Sequence, residues 1–153
     1  MKSLPGRDNV SYSGFVRPDT GELFMCKPSW FNYETTIACF REYISANPIA
    51  GDKKYAFIVD NAPWHKKAVR LIEDEKDPEY SDIRKKAVFV KLPPYSPDLN
   101  PIEQVWRITR RENTHNVYFS SKAVLEAIVD NAFAKWAAPN KQLKSLCSFK
   151  RKY

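Results

Sequence analysis

Apolar positions along this chain fall into short blocks separated by proline, glycine and charged residues. Residues 10–16 (VSYSGFV) alternate loosely between apolar and polar side chains and predict a strand. Pro18-Asp19-Thr20-Gly21 sets Pro and Gly where a tight reversal needs them, so residues 22–26 return as the second strand of a hairpin. Asn32 can cap a helix whose Ile37, Phe40, Tyr43 and Ile44 recur at helical spacing. Residues 55–59 (YAFIV) form a continuous apolar run closed by Asp60, the pattern of a parallel-sheet strand covered on both faces. Ala62-Pro63 opens a helix carrying Val69, Leu71 and Ile72. The acidic stretch 73–82, which contains Pro78, reads as an exposed loop, and residues 87–90 (AVFV) as a second buried strand. Asn100-Pro101 starts a helix with Ile102, Val105 and Trp106 inward, and Ser121 caps another with Leu125, Ile128, Val129, Ala132, Phe133 and Trp136 on one stripe. The polar, basic segment after Pro139 is expected to fray. The order hairpin, helix, strand, helix, strand, helix, helix predicts an α/β fold with a mixed sheet. One domain over 1–138 with a basic tail over 139–153 is the expected division.

Length and composition narrow the class. At 153 residues with 43% apolar and 14% aromatic side chains, the chain can build a core without disulfide staples. No apolar run is long enough to span a bilayer, and the first residues, MKSLPGRD, carry no secretory signal pattern. Lys and Arg number 25 against 18 Asp and Glu, a net charge of +7, which favours a polyanionic partner such as nucleic acid. The acidic groups concentrate at Glu73, Asp74, Glu75, Asp77, Glu79 and Asp82, so the remainder is more basic than the net figure. Cationic side chains gather at Lys66, Lys67 and Arg70, at Arg107, Arg110 and Arg111, and at Lys150-Arg151-Lys152. The three cysteines are widely spaced with no CxxC pair, which argues against a zinc ribbon or a redox motif. Cys39 falls on an apolar helix face and reads as core, and a reducing, cytoplasmic setting is expected.

Two carboxylates stand out by position. Asp60 ends a buried strand, and ligand groups of open α/β sheets collect beyond the carboxyl ends of strands. Glu103 lies in the first turn of the helix after the next strand, so both would share one crevice if the two strands are neighbours. Two such carboxylates are part of an oxygen-ligand set for a hard divalent ion. Structural alternatives stand beside this. Asp60 can simply turn the chain, and Glu103 has capping-box spacing from Asn100 and ion-pair spacing to Arg107. His65 can be a solvated helix residue, and the arginine face a wet surface. Trp64 and Trp106 read as packing residues more than as base-stacking ones.

The string VDNAPWH (59–65), followed by LPPYSPDLNPIEQVW (92–106), resembles the DDE-type transposases of the mariner-like superfamily and their bacterial insertion-sequence relatives. The resemblance runs from about residue 10, through the hairpin RPDTGEL (17–23), to about residue 111. It implies a ribonuclease H-like fold, DNA as partner, no membrane, and Mg²⁺ (or Mn²⁺) in a two-metal site for DNA strand cleavage and transfer. By motif match Asp60 resembles the second and Glu103 the third of the family's three acidic residues, both of them metal ligands. Asn61, His65 and Asn100 take supporting positions, and Lys66, Lys67, Arg107, Arg110 and Arg111 are the candidates for DNA phosphates. The separation of Asp60 and Glu103 is longer than the resemblance leads one to expect, with the excess placed in the acidic stretch.

One part of the family pattern is not matched. The first acidic residue belongs to a central first strand ahead of the hairpin. The only acid there, Asp8, sits in a turn-like context, and Asp19 is in the hairpin turn. The expected fold is therefore a ribonuclease H-like mixed sheet flanked by helices and lacking its first, central strand. The expected behaviour is little or no nuclease activity until an upstream transposase fragment, or a second copy of the chain, completes the site. The alternatives are a catalytically dead remnant that only binds DNA, and an unrelated basic α/β interaction module.

Overall fold

A computed structural model describes residues 11–115 and 119–147. The expected start of the first strand at Val10, Asp8 and the basic run 150–152 lie outside the described residues. The chain forms two compact units, one holding the described residues up to Lys27 together with those from Pro101 on, the other Pro28–Asn100. The α/β character expected from the sequence is present as two small sheets flanked by helices.

In the first unit, β1 (Ser13–Val16) and β2 (Leu23–Cys26) pair antiparallel, from Ser13 opposite Cys26 to Val16 opposite Leu23. The turn between them is closed by the Gly21 amide donating to the Arg17 carbonyl at 2.7 Å. Three helices follow in this unit: α4 (Pro101–Thr109), α5 (Lys122–Ala134) and α6 (Lys141–Cys147). Ser121 caps α5 by accepting from the Val124 amide. Tyr12, Leu23, Val105, Leu125, Val129, Phe133, Trp136 and Leu143 form one core. Trp106 lies partly buried against it, edge-on to Phe133 at 5.9 Å, a packing role as expected. The segment after Pro139, expected to fray, instead supplies α6, because Leu143 and Cys147 are withdrawn into this core. The Cys147 thiol is pushed up to about 11 by burial.

Gly21 joins hairpin and α6. Its φ of 78° is in the left-handed region, and a Cβ there would lie 2.3 Å from the Asn140 carbonyl oxygen and 2.6 Å from the Lys144 amide nitrogen. Asn140 holds the contact from the other side: its amide donates to the Thr20 carbonyl, its Nδ2 to the Gly21 carbonyl, and its Oδ1 accepts from the Leu143 amide. Gly21→Ala is therefore expected to destabilise this unit by about 2–4 kcal/mol, from backbone strain and overpacking together. Urea unfolding followed by the fluorescence of the buried Trp136 checks it.

In the second unit, β3 (Tyr55–Val59) and β4 (Ala87–Lys91) pair in parallel, joined through α2 (Pro63–Glu73). The two buried strands are thus neighbours. α1 (Tyr33–Ala46) begins at a capping box in which Asn32 Oδ1 accepts from the Thr35 amide and Thr35 Oγ1 accepts from the Asn32 amide. Phe40 of α1 meets Phe57 at 5.0 Å and Phe89 at 5.1 Å, both edge-on, while Ile37, Phe40, Val69 and Ile72 are buried. The expectation that both strand faces are covered is corrected here. Phe57 and Val59 are buried, but Ile58, Val88 and Val90 are 37–50% exposed. A continuous apolar run has no period, so it could not reveal which face this unit packs.

The acidic stretch is also more ordered than a loop. It contains a 3₁₀ turn, Pro78–Tyr80, and the short helix α3 (Ser81–Arg84), with Tyr80 and Ile83 buried. The Arg84 guanidinium donates to the carbonyls of Ile72, Asp74 and Asp77 at 2.6–2.7 Å, and Arg41 pairs with Asp82 at 3.0 Å. Two arginines thus satisfy backbone and carboxylate groups that charge patterning alone assigns to solvent. Cys39 is buried, as expected of a core position. Among the described residues no helix is long and apolar enough to cross a membrane.

Candidate active site

The carboxyl end of β3 is where the second unit presents chemistry. Asp60 follows the last strand residue, and its Oδ1 does two things. It accepts from the Ala62 amide at 3.0 Å, an Asx turn that lets the chain leave the strand, and it meets Nδ1 of His65 at 2.5 Å. Pro63 at the first helical position of α2 presets the helix, so His65 comes round within the first turn onto the carboxylate. The hydrogen bond from His65 is the main cause that holds the Asp60 carboxyl below the usual carboxylate range; the Ala62 amide adds to it and burial opposes it. Both hydrogen bonds fall on Oδ1, leaving Oδ2 without a hydrogen bond among the described residues.

The strand ends themselves are clamped. The Leu92 amide donates to the Val59 carbonyl at 3.0 Å, and Asn61 Nδ2 donates to the Leu92 carbonyl at 3.0 Å. Asn61 thus ties the segment after β3 to the segment after β4. Beside it lies a cavity of about 460 Å³ lined by Asp60 and Asn61 and, on its basic side, by Lys66, Lys67, Arg70 and Lys91. Arg70 and Lys91 are additions to the expected site. Arg70 is legible in principle, four residues after Lys66 on one helix face. Lys91 needs the β3–β4 register, in which it stands opposite Val59. Tyr95, fully exposed in the PPYSPD loop with a φ of 57°, is a further residue to which the sequence assigns no role.

The remaining expected site residues belong to the end of the second unit and to the first. Asn100 is buried at 6% exposure, before α4 begins. Glu103 lies in the first turn of α4, half-buried, and its carboxylate makes no hydrogen bond or ion pair with a described residue. The ion pair to Arg107 that its spacing allowed is thus not formed. The end of α4 widens into a π-helical turn, Arg110–Thr114, closed by the His115 amide donating to the Arg110 carbonyl at 2.8 Å. This turn gathers Arg107, Arg110, Arg111 and His115 around a shallow depression of about 370 Å³. Arg107, Arg110 and Arg111 stand three and four residues apart and so share one helix face, and the π-helical turn ends with His115 beside them.

Asp60 and Glu103 are oxygen donors of the kind a hard divalent cation takes, and the open Oδ2 of Asp60 is free to serve. Among the described residues, however, no three of His, Cys, Asp and Glu gather closely enough to hold a metal ion. The fit is to single ligands of such an ion, not to a complete set.

Fold and site define an α/β domain with an ionised carboxylate at a strand end, bordered by cations that suit a phosphate-bearing substrate. The family model for DDE superfamily endonucleases matches residues 1–126, and the chain belongs to that family of DDE-type transposases and endonucleases. It is a transposase-like nuclease domain, and DNA is the substrate class its family implies. No curated protein and no solved structure matches the chain.

Proposed function

We propose that this chain is part of the catalytic domain of a DDE transposase of the mariner-like and insertion-sequence type, cleaving DNA strands and joining them to a target. The observation that carries the reading is the Asp60 carboxylate, held ionised through Oδ1 and open at Oδ2, at the end of a parallel strand. In this reading Asp60 and Glu103 hold Mg²⁺ or Mn²⁺ together with a further carboxylate from an upstream segment or a second copy. Such ions stabilise charge on the transferring phosphate and acidify the attacking water or 3′-hydroxyl. The residues of this chain bind and orient. His65 keeps one oxygen of Asp60 engaged so that the other is presented in one direction, as outer partners of metal ligands do. Lys66, Lys67, Arg70 and Lys91 take phosphates on the side of Asp60, and Arg107, Arg110 and Arg111 take phosphates along α4.

A second reading, a protein that binds DNA without cutting it, draws on the same two basic clusters. Mn²⁺ titration followed by NMR separates the two. If Asp60 and Glu103 share an ion, substoichiometric Mn²⁺ broadens the amide signals around both, and Asp60→Ala abolishes the broadening around Glu103. Broadening at neither residue, with salt-sensitive DNA binding intact, would favour binding alone.

A further inference from the structure

The second unit keeps several aromatic rings out of its core beside the Asp60–His65 pair. The chain entering α1 bends through Ser29 and Trp30 and is held there by Thr35 Oγ1 donating to the Trp30 carbonyl at 3.0 Å, next to the Asn32–Thr35 capping box. On this fixed turn Trp30 is 65% exposed and Phe31 42%. Phe31 lies nearly parallel to Trp64 of α2, with ring centroids 5.9 Å apart and 15° between the planes. Trp64 in turn meets the His65 ring edge-on at 5.9 Å. Lys67 sets its ammonium 3.9 Å from the centroid of Tyr33.

Exposed indole and phenyl rings are costly in water, and a cluster of them marks a surface that is covered in use. The charge beside the rings selects the partner. Lys66 and Lys67 line the cavity next to Asp60, so a ligand seated on the rings would meet cations. Flat apolar faces with ammonium groups at the rim match nucleic acid with unstacked bases: the rings take bases, the lysines take phosphates. Duplex DNA does not offer its base faces, so the match is to unpaired nucleotides. We propose that Trp30, Phe31 and Trp64, with Lys66 and Lys67, form a stacking platform for single-stranded DNA beside Asp60. This rests on the reading that Asp60 acts on DNA and adds that the strand is unpaired where the protein grips it.

The test uses the full chain and short labelled oligonucleotides of equal length: single-stranded oligo-dT, the same strand as a duplex, and the single strand with abasic positions. Trp30→Ala/Phe31→Ala is expected to lower affinity for oligo-dT by about tenfold, the scale of lost base–aromatic stacking, with little change for the duplex. Oligo-dT should quench tryptophan fluorescence, and the abasic strand should not. Trp30→Phe should recover most of the lost affinity, which a misfolded surface would not permit. Equal affinity of the double alanine variant for oligo-dT, or equal binding of abasic and intact strands, overturns the platform. A change in sedimentation with unchanged affinity for oligo-dT would also overturn it, making the surface a protein interface. These readouts are independent of Mn²⁺: lost Mn²⁺ broadening with intact quenching removes the metal-site reading alone, and the converse removes the platform alone.

Discussion

Asp60→Asn is expected to weaken Mn²⁺ binding by at least about 100-fold and to abolish strand cleavage in any assembly where the protein cuts DNA. Replacing an outer partner of a metal ligand costs about 10–100-fold, so losing the ligand itself must cost more. Affinity for DNA should hold or rise slightly, since a negative charge leaves a cavity otherwise ringed by Lys66, Lys67, Arg70 and Lys91. Calorimetric Mn²⁺ titration and DNA anisotropy on the same variant measure both. His65→Ala is the graded companion. It removes the leading cause of the low Asp60 carboxyl, so that group should return toward the ordinary carboxylate range, read by ¹³C NMR of the side-chain carbon. The sign for pH follows. A carboxyl lowered by folding contributes stability that is present above its unfolded value and lost as pH falls through the folded one. In the wild type the loss therefore lies at the acid end, below the ordinary carboxylate range. In His65→Ala that window moves upward. An Asp60→Asn variant that binds Mn²⁺ as the wild type does would remove Asp60 from the site.

The second large effect concerns the arginines at the π-helical turn. Converting Arg107, Arg110 and Arg111 together to Ala is expected to weaken DNA binding by about 100-fold at low salt. It should also reduce the slope of log affinity against log salt by about 2.7, or about 0.9 for each phosphate that the three side chains neutralise. The change should be similar for all sequences, because phosphate contacts position without reading bases. A salt slope equal to that of the wild type would show that these side chains touch no phosphate, whatever the change in affinity. Their grouping follows from spacings of three and four residues on one helix face, and the widened turn after α4 adds His115 to it.

Elements are legible in the chain where a local signal is strong. Asn32 with Thr35, Pro63 at the start of α2, and Ser121 before Leu125 each act on the backbone within a few residues, so the sequence alone marks those helix starts. Asp60 is legible as a strand-end carboxylate for the same reason. The acidic stretch is not, because its order comes from Arg84 and Arg41. Nor is the last helix, because α6 forms only when Leu143 and Cys147 find the core of the first unit.

Family membership is written in the DNxxxH and LPPYSPDLNPIEQVW strings, and the order of helices and strands in caps, turns and apolar periods that act over a few residues. The folded molecule adds what those patterns leave open. His65 and the Ala62 amide share one oxygen of Asp60, Lys91 joins Lys66 and Arg70 around one cavity, and Phe31 stacks on Trp64. These arrangements depend on strand register and on contacts between elements. Such geometry is set by packing, which no local signal encodes.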